Sequence, residues 1–136
     1  MIIIAAVDDR GGMTFNHRRQ SRDKVMRERI LNLTAGSRLW MNSYSYKLFE
    51  ESDRTSDILA DEDFLKKASP DDYCLVENIS VKSYADKIEK IIIFKWNRKY
   101  PGNTYFDVDL STWKMVYSEE FAGSSHEKIT MEVYEK

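Results

Sequence analysis

The sequence predicts a single α/β domain over residues 1–136: a central mixed, mostly parallel sheet, helices on both faces and an antiparallel hairpin near the C-terminus. Three observations carry this. Short apolar runs at positions 2–7, 39–41, 73–76 and 90–94 have the length and continuity of buried strands. Stretches with helical character lie between them, the alternation that builds a parallel sheet with crossover helices. Two further strand-like segments then follow one another at the end of the chain and form the antiparallel pair.

Taken in order, Ile2 to Val7 is apolar and partly β-branched, a fully buried strand. Asp8 to Arg22 shows no apolar period and contains Gly11-Gly12, so it reads as a long loop. From about Asp23 to Ala35, Met26, Ile30 and Leu33 fall on one face of a helix, and Gly36 stands where that helix should stop. Leu39-Trp40-Met41 is a second strand, and a short helix follows through Lys47-Leu48-Phe49. Positions 50–56 read as a surface turn. Ile58-Leu59 is a weak strand, Glu62 to Lys67 a short helix and Tyr73 to Val76 a third buried strand. A brief helical segment near Tyr84-Ala85 leads into Lys90 to Phe94, the strongest strand signal. Pro101-Gly102-Asn103 marks a turn. Strands near Lys114–Tyr117 and Glu127–Tyr134 close the domain. In the latter, Ile129, Met131 and Val133 alternate with Thr130, Glu132 and Tyr134, which predicts one buried and one exposed face.

Composition narrows the function classes. The chain has 136 residues, 42% of them hydrophobic, which suits one globular domain. Twenty-one basic and 23 acidic residues leave a net charge of -2, so no global field favours long nucleic acids or anionic lipid. The single cysteine, Cys74, excludes an internal disulfide and fits a reducing compartment, so a cytoplasmic location is expected. It lies in an apolar strand and reads as a buried structural thiol. The apolar N-terminal run is too short for a signal peptide or a membrane span, and no membrane partner is expected. Two histidines and one cysteine show no metal-ligand spacing, so no metal site is expected. Neither common glycine-rich phosphate loop is present, nor a Gly-x-Ser-x-Gly nucleophile elbow, and no residues are assigned a catalytic role.

One cluster stands apart. Residues 17–29 carry five arginines and a lysine against two acids, with Arg18, Arg19 and Arg22 just before the helix. An arginine fork beside the donors of a helix N-terminus can hold a phosphate or a carboxylate. The alternative is a solvated basic face paired with Asp23 and Glu28. The three tryptophans, Trp40, Trp96 and Trp113, sit in or beside strands, where core or sheet-edge packing is the expected role. A sheet edge with few charges, such as Lys90–Trp96 if it were peripheral, could pair with a second copy of the chain to give a homodimer.

The order of segments resembles the dihydrofolate reductase family along nearly the whole chain. Ile4-Ala5-Ala6-Val7-Asp8 is similar to that family's first strand and following loop. Positions 34–41, Thr-Ala-Gly-Ser-Arg-Leu-Trp-Met, resemble the end of its first helix and its second strand. Tyr84-Ala85-Asp86 before positions 91–94 resembles its Tyr-Ala-Asp segment and next strand. Gly102-Asn103-Thr104-Tyr105-Phe106 resembles its Gly-Asp-Thr-x-Phe turn, and Trp113 with Ser125-His126 resembles its C-terminal hairpin. The resemblance implies a three-layer dihydrofolate reductase-like fold.

It does not carry the family's working residues. Where the family has a Pro-Trp pair this chain has Gln20-Ser21, and where it has a pterin-holding carboxylate, Met26. Its Gly-Arg-x-Thr becomes Asn42-Ser43-Tyr44-Ser45, and its Gly-Gly at the cofactor pyrophosphate becomes Glu77-Asn78. A side chain at a glycine position blocks close backbone approach, and a carboxylate repels phosphate. The stretch between Phe49 and Asp61 is short for the family. The expectation is therefore a reductase scaffold without folate reductase activity and without NADPH. It would bind a small anionic ligand or a protein partner through the remnant cleft, held by Arg18, Arg19 and Arg22, with Asn42, Ser43, Ser45, Glu77 and Asn78 on its rim. A divergent NADPH-dependent reductase of a pterin-like or other small substrate is the first alternative. Nucleotide or RNA binding by the basic loop with Tyr44, Tyr46 and Trp40 is the second.

Overall fold

The computed structural model describes residues 1–50 and 57–136. The chain begins with β1 (Ile2–Val7), β2 (Gly12–Phe15) and β3 (Arg18–Arg19), then α1 (Lys24–Leu33) and β4 (Arg38–Met41). Next come α2 (Ser43–Phe49), β5 (Asp57–Ala60), α3 (Phe64–Lys67) and β6 (Tyr73–Leu75). A 3₁₀ turn at Lys82–Lys87 precedes β7 (Lys90–Lys95), and β8 (Thr104–Tyr105) precedes a second 3₁₀ turn at Leu110–Thr112. β9 (Lys114–Phe121) and β10 (Ile129–Glu135) complete it.

Among the described residues seven strands form the main sheet in the order β5-β4-β6-β1-β7-β10-β9. β5, β4, β6, β1 and β7 pair in parallel, while β10 runs antiparallel to both β7 and β9. This is the predicted parallel sheet with an antiparallel hairpin. Successive side chains of β1 serve opposite faces. Ile2 and Ile4 join a core with Met26 and Ile30 of α1 and Phe49 of α2. Ile3 and Ala5 join a second core with Phe64 and Leu65 of α3. Helices therefore cover both faces and give three layers. No helix of the described residues is long and apolar enough to cross a membrane.

Three sequence expectations change. The loop expected over 8–22 is partly sheet: β2, β3 and β8 form a second, three-stranded sheet. Phe15 pairs with Arg18, and Asn16 and His17 between them have φ of 50° and 67°. Positive φ at both central residues is the two-residue hairpin geometry whose twist matches its strands. These strands are too short for an apolar period to show. Second, Lys90–Trp96 is not an edge, because β7 lies between β1 and β10; the edges of the main sheet are β5 and β9. Third, β10 has no simple exposed face. It is an inner strand, and Glu132 is buried, held by Lys95 Nζ at 3.2 Å and by the Tyr134 hydroxyl at 2.7 Å. The brief helical segment expected near Tyr84 is present as a 3₁₀ helix, Lys82–Lys87, that begins five residues after Glu77. The turn expected over 50–56 lies, beyond Glu50, outside the described residues.

The helix expected from Asp23 starts one residue later, with Asp23 as its N-cap, and Gly36 (φ 81°) stands just beyond its end. Cys74 is fully buried, and desolvation pushes its thiol up to about 12, as an inert core thiol requires.

Candidate functional site

A cavity opens at the carboxyl ends of β1, β6 and β7, the end of a parallel sheet where ligands of α/β folds usually sit. α1 covers one side, and the segment from β3 into α1, positions 19–23, covers the mouth. The floor is apolar, built from Ile4, Ala5, Ile30, Leu75, Phe94 and Trp96, while Arg19, Gln20, Arg22, Asp23, Arg27 and Glu77 supply polar groups. Its enclosed space is only about 20 Å³, room for one or two waters.

On one wall the charges are paired. The Arg19 guanidinium grips Glu77 through two bonds, Nε to Oε2 at 2.8 Å and Nη2 to Oε1 at 3.0 Å. The Ser45 hydroxyl donates to the same carboxylate at 2.7 Å. Arg19 also lies over the Tyr44 ring at 4.4 Å, and its backbone N–H donates to the Tyr44 hydroxyl at 2.9 Å. Burial pushes the Arg19 guanidinium down, but Glu77 outweighs that and its pKa ends above the ordinary value. Beside this pair, the Asn42 side-chain amide donates to Asn78 Oδ1 at 2.9 Å, and Asn42 caps α2 by accepting from the Ser45 N–H at 3.1 Å.

A second network closes around Asp23. Its Oδ1 accepts from the Met26 N–H at 2.9 Å, the helix cap. Its Oδ2 accepts from the Ser125 N–H at 2.7 Å and the Ser125 hydroxyl at 2.8 Å. Ser125 Oγ lies 2.7 Å from His126 Nδ1, and the Tyr100 hydroxyl lies 2.6 Å from His126 Nε2. One proton arrangement satisfies this chain: Tyr100 O–H donates to Nε2, Nδ1–H donates to Ser125 Oγ, and Ser125 O–H donates to Asp23. Burial pushes the Asp23 carboxyl up, but the bonds from Ser125 and Met26 prevail and hold it at about 2. Burial and the nearby Arg98 push the His126 imidazole down, against a smaller pull from Asp23. At neutral pH Asp23 is therefore ionised and His126 neutral.

The third group is unpaired. Arg27 follows Asp23 by one turn of α1. Its Nε is buried without a hydrogen-bond partner among the described residues. Desolvation pushes its guanidinium pKa down, and repulsion from Arg22 and Arg19 adds to this, against weaker attraction from Asp23 and Glu28. Gln20 Oε1 is likewise buried and without a partner among the described residues.

Of the eight residues expected to form the site, Arg19, Arg22 and Glu77 line the cavity. Ser45, Asn42 and Asn78 lie behind them as supports. Ser43 faces away, its N–H donating to Glu62 Oε1 at 2.8 Å. Arg18 is exposed on β3 and is not among the lining residues. Four of the positions where the family pattern breaks do cluster here: Gln20, Ser21, Met26 and Glu77 line the cavity, while Asn42, Ser43 and Asn78 do not. In the sequence Arg27 stands out only as a member of the basic cluster at 17–29. Its spacing four residues after Asp23 is the signal that places both on one helix face.

No family model matches the chain, and no curated protein matches it either. A search of solved structures finds dihydrofolate reductase from Enterococcus faecalis complexed with NADP(H) and RAB-propyl, at a TM-score of 0.68 and 11% identity. The match covers 98% of this chain and 94% of that chain. The fold of this chain is therefore a dihydrofolate reductase-like fold.

Proposed function

We propose that this chain uses the cleft to bind a compact anion and does not reduce folate. The observation that carries the reading is Arg27: a buried guanidinium nitrogen without a partner, in a wall where two further arginines repel it. A carboxylate or phosphate placed there would supply the missing acceptor and relieve the repulsion, because charge-assisted bonds to arginine are the strong ones.

Two features speak against reductase chemistry. Protonating a pterin needs a carboxyl group able to hold a proton near neutral pH. Asp23 reaches the cavity wall, but its oxygens are bound by Met26 and Ser125 and its pKa is held at about 2. The second is Glu77. Its carboxylate sits at the carboxyl end of β6, where the resemblance would put a cofactor pyrophosphate, and Arg19 and Ser45 fix it in place.

The competing reading is a divergent NADPH-dependent reductase, favoured by the neighbouring fold that was solved with NADP(H). Thermal unfolding separates the two. Saturating ligand at 100 times its Kd adds about 2.7 kcal/mol of stability. Millimolar acetate or phosphate is expected to raise Tm in the wild type and not in Arg27→Met, while NADPH leaves Tm unchanged. Stabilisation by NADPH, with its oxidation above background in the presence of a carbonyl or imine acceptor, would overturn the proposal.

A further inference from the structure

We infer that the occupant of this cleft is a compact carboxylate that also carries a hydrogen-bond donor, the 2-hydroxy acids being the smallest of that class. The inference rests on the anion-binding reading above and sharpens it to a ligand chemistry.

Among the described residues, three buried side-chain polar atoms lack a partner: Thr14 Oγ1, Gln20 Oε1 and Arg27 Nε. The last two belong to residues lining one cavity. Buried polar groups in folded proteins are overwhelmingly paired, so two orphans at one cavity call for a common partner. Their chemistry is opposite. Arg27 Nε is a donor and Gln20 Oε1 an acceptor.

The orientation of the Gln20 amide is fixed. Its Nε2 donates to Asp8 Oδ2 and to the Pro101 carbonyl, each at 3.3 Å. Exchanging oxygen for nitrogen would set an oxygen against two oxygens, so Oε1 is the orphan. The amide nitrogen occupies space that the two glycines leave open: a Cβ on Gly12 would lie 2.8 Å from Gln20 Nε2, and one on Gly102 would lie 3.1 Å from it. Asp8 is anchored in turn by the N–H groups of Gly12 at 2.8 Å and Arg10 at 2.9 Å. Gln20 therefore has little freedom to turn away and find another donor.

A simple carboxylate answers Arg27 and leaves Gln20 Oε1 dry. A hydroxyl carried on the same small molecule answers both. The enclosed space limits the buried end to a few heavy atoms, and the arginines at the mouth favour negative charge. Water is the competing occupant, since one or two molecules fit.

Acetate and glycolate differ by one hydroxyl at equal charge, so they are the probes. The full chain, labelled with ¹⁵N, is titrated with each and followed by NMR. Glycolate is expected to bind roughly threefold or more tighter than acetate, the usual worth of one neutral hydrogen bond. The Gln20 side-chain amide peaks should shift with glycolate and not with acetate. Arg27→Met should lose both ligands. Gln20→Met should keep acetate and lose the preference. Equal affinity for the two probes, with the Gln20 peaks unmoved, would overturn the inference and leave the anion reading standing. Binding of neither would overturn both, with water as the sole occupant. If Gln20→Met fails to fold, the wild-type Gln20 peaks decide alone.

Discussion

Two polar groups along the α1 side of the cleft are built on opposite terms. Around Asp23 the wall is closed on itself: the carboxylate has its helix cap and two bonds from Ser125, Ser125 meets His126, and His126 meets Tyr100. Around Arg27 it is open, with a guanidinium nitrogen and an amide oxygen left over. Both stand beside the same helix N-terminus and the same apolar floor. The difference teaches which polar residues serve the fold and which await something else. A satisfied network stabilises and fixes geometry, whereas an unsatisfied one costs stability until a partner arrives.

Substitutions should break that comparison in a definite order. Asp23→Ala removes the cap of α1 and the tether to the β9–β10 connection together. It should cost about 2–4 kcal/mol in urea unfolding, combining a lost cap with lost charge-assisted bonds. Gly123→Ala probes the same wall, because a Cβ there would overlap both Asp23 Oδ2 and the Ile129 side chain. A loss of similar size is expected.

Acid should act on this wall as well. Asp23 has a depressed folded pKa, so its contribution is complete above the ordinary value of 3.8 and is lost as pH falls through about 2. Stability measured from pH 5 to pH 2 should fall in the wild type and fall less steeply in Asp23→Asn.

Glu77→Gln should cost less, about 1–3 kcal/mol, since the Arg19–Glu77 pair is mostly shielded from solvent but the glutamine keeps part of its hydrogen bonding. It should also tighten anion binding, because it removes the carboxylate that competes for Arg19. Arg27→Met should have the smallest effect on stability and the opposite sign. Removing a buried donor that has no partner should be neutral or add up to about 1 kcal/mol. If Arg27→Met destabilises the chain as much as Asp23→Ala, the contrast between the two groups fails.

The fold was largely legible. β1 and β7 are runs of apolar residues long enough to need burial on both faces, and the structure puts them side by side at the centre. A helix start near Asp23 and Gly36 as its stop are local signals, read within one turn of helix; that Asp23 is the cap came from the structure. The β2–β3 hairpin was not legible. Its turn, Asn16-His17, lacks the glycine that usually marks positive φ, and its strands are two and four residues long. The site was legible as a basic cluster, which supplied Arg19 and Arg22, and as a set of replaced positions. Gln20, Met26 and Glu77 were named because they depart from a family pattern, not because sequence showed them facing one another.

What the sequence determined by itself is the order of elements, the absence of the common phosphate loops and the presence of a basic cluster before a helix. These rest on interactions within a few residues or on simple counts. Only the tertiary structure decided which charges cancel. Arg19 meets Glu77 across 58 positions and Asp23 meets Ser125 across 102, while Arg27 Nε meets no acceptor among the described residues. Electrostatic pairing falls off within a few ångströms in a solvated protein. It is therefore set by which chain segments the fold brings into contact, and periodicity along the chain carries no record of that.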